Sequence, residues 1–225
     1  MCGRYTLRDP EAVAGAIRAL GAEVATASLP QRYNTAPTQV MPVITVQENR
    51  PKLVPMHWGI VPFYSRKEAR PMQLINARSE TAAEKVTFKQ SIQRRRCVVP
   101  ADGFFEWRRN ADKTKTPFFI RINGEKPFFI AGIFEDECPP FAAGYALLTT
   151  GPNELLAPIH DRMPVILSEK TARAWIEPGP ISAERVHEIC ASYPAAEMIA
   201  DPVSAIVNNA RNDVPECVML APRPD

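Results

Sequence analysis

The sequence predicts a single α+β domain with a large, curved, mostly antiparallel β-sheet, barrel-like in form, and a few flanking helices. Three observations favour this fold. The chain has 225 residues, of which 45% are hydrophobic, enough for one substantial core. Its 23 prolines interrupt short apolar runs, as at Pro42 and Pro100, a pattern typical of many short strands with irregular connections. No internal repeat or linker divides residues 1–225, so we expect one domain.

The first elements follow from local signals. Residues 2–7 predict a short strand. Asp9 is placed to cap a helix with Pro10 at its first position, and Gly21 is placed to end it. The polar run 32–37 predicts a turn. Further strands of this half are expected at 40–47, 53–58 and 74–78.

Capping signals predict the remaining helices. Thr81 and Glu84 resemble a capping box for a helix over 81–92. Ser168 and Ser182 are placed to cap two more helices. Asp102-Gly103 is a turn signal. The strands of this half are expected at 97–100, 103–108, 117–122, 127–134, 144–150, 163–167 and 202–209.

Charge and composition restrict the function classes. The net charge is only +2, so a nucleic-acid site would have to be a local basic patch. No apolar run is long enough to span a membrane and no signal peptide opens the chain, which favours a cytoplasmic protein. The five cysteines are odd in number, and the three histidines have no partners at metal-ligand spacing. We expect no disulfide framework, no metal and no cofactor.

Cys2 is a candidate nucleophile because of its place behind the initiator methionine. Removal of Met1 would leave Cys2 with an adjacent amine and thiol, a 1,2-aminothiol. This pair attacks an aldehyde twice: the amine forms an imine and the thiol then closes a thiazolidine ring. The amine is ready near neutral pH because an α-amino group titrates at about 7.7–8.0. From the first four residues alone, an early cysteine without a chemical role is the favoured interpretation.

Glu106 is a candidate general acid or base. Along the strand 103–108, Phe105 and Trp107 share one face, while Phe104, Glu106 and Arg108 share the other. A carboxylate among aromatic side chains would have its pKa raised by desolvation. The alternative is a surface ion pair between Glu106 and Arg108.

Asn76 and His160 are further polar candidates. Asn76 and Arg78 alternate along an otherwise apolar strand, so they share a face and need partners, which are structural in many proteins. His160 lies in a charged loop flanked by Pro158 and Pro164. Loops carry much of protein function, although a lone histidine is often structural.

The segment after Pro62 suggests contact with single-stranded nucleic acid. We expect Phe63 to enter the core and Tyr64 to stack on an unpaired base. The basic residues that follow favour a nearby phosphate, or else form a solvated loop; they are Arg66, Lys67 and Arg70.

Taken together, these residues resemble the SRAP (SOS response-associated peptidase) family over nearly the whole chain. The motifs that carry the resemblance are Met1-Cys2-Gly3-Arg4-Tyr5, Arg32-Tyr33-Asn34-Thr35-Ala36-Pro37, Trp58-Gly59-Ile60-Val61-Pro62, Ile75-Asn76-Ala77-Arg78-Ser79-Glu80-Thr81, the run from Arg96 to Trp107, Ile159-His160-Asp161-Arg162-Met163-Pro164, and Val207-Asn208-Asn209 with Asn212-Asp213-Val214-Pro215-Glu216. One departure is Phe63-Tyr64, where family members often carry tryptophan.

The resemblance implies a function and a set of roles. The substrate would be an abasic site in single-stranded DNA, to which Cys2 becomes crosslinked, with lyase activity and removal of Met1 as accompanying reactions. His160 would open the sugar ring, Glu106 would move protons, and Asn76 would orient the sugar or the amine. The implied DNA-binding residues are Gly3, Arg4, Asn34, Tyr64, Arg78 and Arg162. The expected partner is this DNA, bound by a monomer.

Two other function classes remain at this point. One is a thiol peptidase that acts on other proteins, with Cys2 as nucleophile and His160 as base. The other is a module that binds single-stranded DNA without any covalent step.

Overall fold

The computed structural model describes residues 2–221 and confirms the α+β class. Its strands are β1 (Tyr5–Leu7), β2 (Arg32–Thr35), β3 (Val40–Gln47), β4 (Arg50–Trp58), β5 (Asn76–Arg78), β6 (Arg96–Ala101), β7 (Gly103–Arg109), β8 (Lys115–Ile122), β9 (Phe128–Glu135), β10 (Gly144–Thr150), β11 (Met163–Pro164), β12 (Ile166–Leu167) and β13 (Met198–Pro202). Its α-helices are α1 (Pro10–Ala19), α2 (Ser79–Ala82), α3 (Val86–Arg94), α4 (Glu169–Ile176) and α5 (Ala183–Ile189). Within residues 2–221, no helix has the length and apolar character needed to cross a bilayer.

The strands form two sheets rather than the one large sheet expected. The smaller sheet has the order β13-β8-β7-β1-β2 and is antiparallel throughout. The larger sheet follows the order β11-β10-β4-β3-β6-β9-β12, with β5 added on β10. Because β9 also pairs with β10, this sheet curls back on itself. Its parallel pairings are those of β10 with β4 and with β5.

Both faces of the smaller sheet are apolar, as the alternation along β7 predicts. Phe104 and Ile120 belong to the main core, which also includes residues of the larger sheet. Phe105 and Phe119 point the other way and pack against the C-terminal residues Val203, Val207 and Cys217. The C-terminal segment therefore covers the outer face of the sheet that carries Glu106.

Several local predictions are confirmed. The Asp9 side chain accepts a hydrogen bond from the Ala12 backbone N–H at 3.0 Å, and α1 begins at Pro10. Gly21 follows the helix with a φ of +87°, a left-handed conformation that favours glycine. Ser168 and Ser182 cap α4 and α5. Each capping side chain accepts a hydrogen bond from a backbone N–H only three residues later, so the sequence alone identifies these caps.

Asp102 lies at the point where the chain passes from β6 in the larger sheet to β7 in the smaller one. The turn at Asp102-Gly103 therefore joins strands of different sheets and forms no hairpin between them. The buried carboxylate of Asp102 accepts hydrogen bonds from the Thr6 hydroxyl and from the backbone N–H groups of Arg8 and Asp9. These bonds fix β1 and the start of α1 to the junction.

Gly103 is required by close packing at the same junction. A Cβ atom at this position would lie 2.3 Å from ring atoms of Phe119, too close for any side chain. The absence of a side chain lets β8 approach the first residue of β7.

The single helix expected over 81–92 is wrong, because the structure has the separate helices α2 and α3. The Glu84 N–H donates to the Thr81 carbonyl in a turn between them, and no side chain caps α3. The two helices bury different residues, among them Ala82 in α2 and Phe88 in α3.

Two other local predictions are wrong for a shared reason. Residues 32–37 were expected to form a turn, but the chain forms β2, whose Tyr33 and Asn34 N–H groups donate to the Asp213 carboxylate. The strand expected at 202–209 is absent from the described structure: β13 ends at Pro202, and residues 205–208 form a 3₁₀ turn. Both conformations depend on partners far away in sequence.

Replacing Asp102 by Ala is expected to destabilise the fold by about 3 kcal/mol, because several buried donors lose their acceptor and Arg8 loses its countercharge. Urea unfolding measures the difference. Asp136→Ala is the matched control: the Asp136 side chain is 71% exposed and lies 3.7 Å from Arg95. This control should change the free energy of unfolding by less than about 0.5 kcal/mol. Equal losses in the two variants would contradict the role given to Asp102.

Candidate active site

Cys2 lies buried at the start of the β1 segment, beside the half-buried Gly3. β1 is flanked by β2 and β7, so the chain is held from both sides as it reaches the core. The Cys2 thiol donates to the Arg4 carbonyl at 3.8 Å. Burial raises the pKa of this thiol, and the nearby Glu106 carboxylate raises it further. The thiol is therefore protonated at neutral pH. The predicted removal of Met1 concerns a residue outside the described range.

Asn76 is positioned to hold Cys2. Its Nδ2 donates to the Cys2 carbonyl at 2.8 Å. β5 carries Asn76 to this place through parallel pairing with β10, where Asn76 lies opposite Leu147. The Oδ1 atom of Asn76 is buried, and no donor within residues 2–221 reaches it. This leaves a buried acceptor close to the backbone of Cys2.

Glu106 is the buried carboxylate of the site. Its residue is only 2% exposed, in agreement with the predicted alternation along β7, so the alternative of a surface pair with Arg108 is wrong. Burial raises the pKa of Glu106 to about 7. Near neutral pH this group is present in both protonation states, which suits proton transfer in either direction.

His160 faces Glu106 across a short gap, with Nε2 at 3.9 Å from Oε2 of Glu106. The Arg162 backbone N–H donates to His160 Nδ1 at 3.1 Å, so the neutral ring carries its proton on Nε2. In the charged ring, Nδ1 would instead donate to Oδ1 of Asp161, 2.9 Å away. Burial lowers the pKa of His160, which favours the neutral ring at pH 7.

A cleft of about 680 Å³ opens beside these two groups. Its lining residues are Glu106, Trp107, Arg109, Lys115, Ile159, His160 and Asp161.

A larger cavity of about 830 Å³ lies between α3 and the loop after α4, and none of the predicted site residues lines it. Within residues 2–221, no group of three or more histidine, cysteine or acidic side chains is arranged to hold a metal. Glu106, His160 and Asp161 supply acid–base groups to the smaller cleft.

Arg4 is held by the C-terminal segment. Its Nη1 donates to Oδ1 of Asn34 and to the Val207 carbonyl, both at 2.8 Å, and its guanidinium lies 5.9 Å from the centre of the Trp107 ring. Asn34 is fully buried, and its Nδ2 donates to three backbone carbonyls between residues 207 and 212. Asn34, which was expected to bind DNA, is thus occupied within the protein and acts by holding Arg4.

Arg162 is also engaged inside the protein. Its two Nη atoms donate to the two carboxylate oxygens of Glu80 at 2.7 and 2.8 Å, and Nη2 also donates to the Thr149 carbonyl. These contacts fix the segment that carries His160. Arg78, by contrast, is exposed on β5.

Phe63 and Tyr64 form an exposed aromatic pair, so the expectation that Phe63 enters the core is wrong. Phe63 is 61% exposed and Tyr64 is 51% exposed, with their rings edge to face at 5.4 Å. The buried residue of this turn is Ser65, whose hydroxyl accepts from the Met72 N–H at 2.6 Å and donates to Glu68. This polar anchor leaves both rings in solvent.

Sequence reasoning missed two acidic residues on which the site depends. Glu80 holds Arg162, and Asp213 holds the backbone of β2 next to Asn34. Both residues lie within motifs noted above, but neither was given a role. The available signal was a carboxylate close in sequence to an arginine or asparagine of the same motif, as Glu80 is to Arg78 and Asp213 is to Asn212.

Comparisons with known proteins agree on one family. The family model described as SOS response associated peptidase (SRAP) matches residues 1–210. Abasic site processing protein YedK of Escherichia coli is 38% identical over 195 residues, covering 83% of each chain. Abasic site processing protein YoqW of Bacillus subtilis is 35% identical over 189 residues, covering 83% of this chain and 84% of its own. A crystal structure of a Bacteroides thetaiotaomicron protein superposes with a TM-score of 0.81 at 25% identity, covering 98% of this chain and all of its own.

Burial of Glu106 predicts a pH-dependent cost to stability. Its pKa is about 7 in the folded state, against about 4.3 when unfolded, so the folded state binds the proton more tightly. Stability is therefore full below about pH 4 and falls as pH rises through 7. Relative to the wild type, the free energy of unfolding of Glu106→Gln, which removes the charge, should therefore rise by roughly 3–4 kcal/mol between pH 4 and 8.

Chemical unfolding at a series of pH values measures this difference. Glu48→Gln is the control, because hydrogen bonding to Lys52 lowers the pKa of the exposed Glu48 and its effect should have the opposite sign. Parallel stability curves for wild type and Glu106→Gln would contradict the raised pKa.

Proposed function

The chain belongs to the SOS response associated peptidase (SRAP) family, and we propose that it captures abasic sites in single-stranded DNA by forming a covalent bond through Cys2. The observation that carries the proposal is the set of groups around Cys2. Asn76 binds its carbonyl, and Glu106 and His160 face each other 3.9 Å apart at the adjoining cleft. Its relatives YedK and YoqW are named abasic site processing proteins.

The reaction begins with hydrolysis of the Met1–Cys2 bond, which frees the Cys2 amine. An abasic sugar is mostly a cyclic hemiacetal, and opening the ring gives an aldehyde at C1. The amine adds to C1, and loss of water gives an imine. The thiol then adds to the same carbon, its proton passes to the nitrogen, and a thiazolidine ring closes. The net condensation of aminothiol with aldehyde releases one water and needs no oxidant.

Glu106 and His160 supply the proton transfers. With a pKa of about 7, the Glu106 carboxylate takes a proton from the attacking nitrogen and returns it to the departing hydroxyl. The Nε2–H of His160 points into the gap between the two residues, where it donates to the sugar oxygen as the ring opens. The free Oδ1 of Asn76 is an acceptor for the Cys2 amine or a sugar hydroxyl.

In this proposal the DNA strand is bound mainly by exposed side chains. Tyr64 and Phe63 provide two aromatic faces on which bases stack, and Arg78 contacts phosphate. Arg4 and Gly3 line the approach to Cys2. The side-chain amide of Asn34 and both Nη atoms of Arg162 are already hydrogen-bonded within the protein, so these two residues contribute by fixing Arg4 and the His160 segment.

A peptidase that attacks other proteins with the Cys2 thiol is less well supported. Such an enzyme needs a thiolate, and burial raises the pKa of this thiol instead of lowering it. The peptidase reaction that fits the site is release of Met1 from the same chain. β-Elimination from the imine, which would cut the strand, is an accompanying lyase reaction of the same intermediate.

Cys2→Ala should abolish the stable adduct, while noncovalent affinity for the strand changes by less than about threefold, since the phosphate and stacking groups remain. Cys2→Ser keeps the amine and forms an imine that hydrolyses instead of a durable ring. A denaturing gel with abasic and intact oligonucleotides measures both. A heat-stable adduct of the Ala variant would exclude the thiazolidine.

A blocked N-terminus should prevent the reaction even when the thiol is intact. An uncleaved residue before Cys2 turns its amine into an amide, which cannot form an imine. Intact mass spectrometry of tagged and protease-released protein, each incubated with abasic oligonucleotide, should show an adduct only after release. An adduct on protein that is still fully blocked would rule out the mechanism.

A further inference from the structure

We propose that the tip of the β7–β8 hairpin is a second phosphate-binding site, in which Arg109 and Lys115 hold the DNA backbone at the His160 side of the cleft. The identity of the strand rests on the proposed function. Neither residue was singled out by the sequence, and neither belongs to the motifs that carry the family resemblance. The proposal stands on the placement of two cations.

Arg109 and Lys115 lie directly opposite each other on antiparallel strands, so both side chains emerge on the same face of the hairpin. Both are exposed, and both line the cleft that contains Glu106 and His160. Like charges at directly opposed positions destabilise a hairpin. A bound anion between them would turn this repulsion into attraction.

Neither cation is neutralised by a carboxylate of residues 2–221 through an ion pair. The acidic group in the cleft besides Glu106 is Asp161, whose carboxylate lies 2.9 Å from His160 Nδ1. The charge of Lys115 also acts at the catalytic ring: burial lowers the pKa of His160, and Lys115 lowers it further. The charge of Lys115 therefore reaches the cleft where the sugar reacts, although the Asp161 carboxylate acts on the same ring in the opposite direction.

The turn between β7 and β8 keeps Arg109 and Lys115 directly opposite each other. The Lys113 N–H donates to the Asn110 carbonyl at 3.1 Å, and Lys113 has a φ of +70°, as in a type I turn followed by a left-handed residue. The Asn110 side chain also donates to the Thr114 and Thr116 hydroxyls at 2.9 and 3.0 Å. A turn bonded in this way binds a ligand with little loss of entropy.

Asp112, the acidic residue of the turn, is used within it. Its carboxylate accepts from the N–H and hydroxyl of Thr114, and these hydrogen bonds lower its pKa. Arg108 is engaged on the other side, 5.0 Å from the centre of the Phe118 ring. Among the arginines and lysines of the hairpin, Arg109 and Lys115 are the ones that line the cleft.

A nucleic-acid backbone fits this pair better than an isolated anion. A sugar that reaches Glu106 and His160 carries a phosphodiester on each side, and one of them must pass along the cleft wall. A guanidinium fork and an ammonium are the groups that bind phosphate oxygens in proteins. The hairpin would then fix the path of the strand beyond the reacting sugar.

The test compares Arg109→Gln and Lys115→Gln with Lys113→Gln, a control on the same hairpin that does not line the cleft. The measurement is affinity for an intact single-stranded oligonucleotide as a function of salt. Each cleft variant should bind about 3–10-fold more weakly at 0.1 M salt, and its slope of log affinity against log salt should be smaller by about 0.7. Lys113→Gln should keep the wild-type slope, and Lys115→Arg should keep most of the affinity.

Unchanged slopes in both cleft variants, with the wild type still forming its adduct, would overturn the proposal. Equal losses in Lys113→Gln would also overturn it, because the effect would then be one of general charge. Inorganic phosphate at constant ionic strength should not displace the oligonucleotide; displacement would indicate a free-anion site instead. Lys113→Gln, which lies outside the cleft, should form the adduct in the wild-type yield at saturating abasic oligonucleotide. Failure of the wild type to react would overturn the proposed function separately.

Discussion

The structure depends on one constraint: the first residues of the chain must lie fixed inside the core. Chain ends normally fray because they have neighbours on one side only. Here β1 is paired on both sides, Asn76 binds the Cys2 carbonyl, and Asp102 binds the backbone that leaves β1. Glu106 lies on β7, the neighbour of β1, so the same pairing that holds Cys2 also brings the carboxylate to it.

Burial is the common cause of the three unusual titrations in the site. It keeps the Cys2 thiol protonated, raises the pKa of Glu106 to about 7 and favours the neutral ring of His160. A buried, protonated thiol is less prone to oxidation and metal binding than a thiolate. The same burial that raises the pKa of Glu106 also reduces the stability of the fold at high pH.

Local patterns in the sequence predicted the capped helices and the alternation that places Glu106 inside. They failed where a segment takes its conformation from distant partners. β2 is polar and turn-like by composition, yet the Asp213 carboxylate, about 180 positions away, holds it as a strand. Phe63 looked like a core residue, but burial of the Ser65 hydroxyl turned its ring outward. The roles of the predicted DNA-binding residues stay predictions, since contacts within the protein alone do not define a bound strand.

The bonds from Arg4 to the carbonyls of Val207 and Asn208 join residues more than 200 positions apart. During synthesis the ribosome adds Arg4 to the chain 203 residues before Val207. A nascent chain therefore carries Cys2 without the segment that holds Arg4 and covers the sheet behind Glu106. The order of translation leaves the segment around Cys2 without these contacts until residues 207 and 208 have left the exit tunnel, so its surroundings are complete only then.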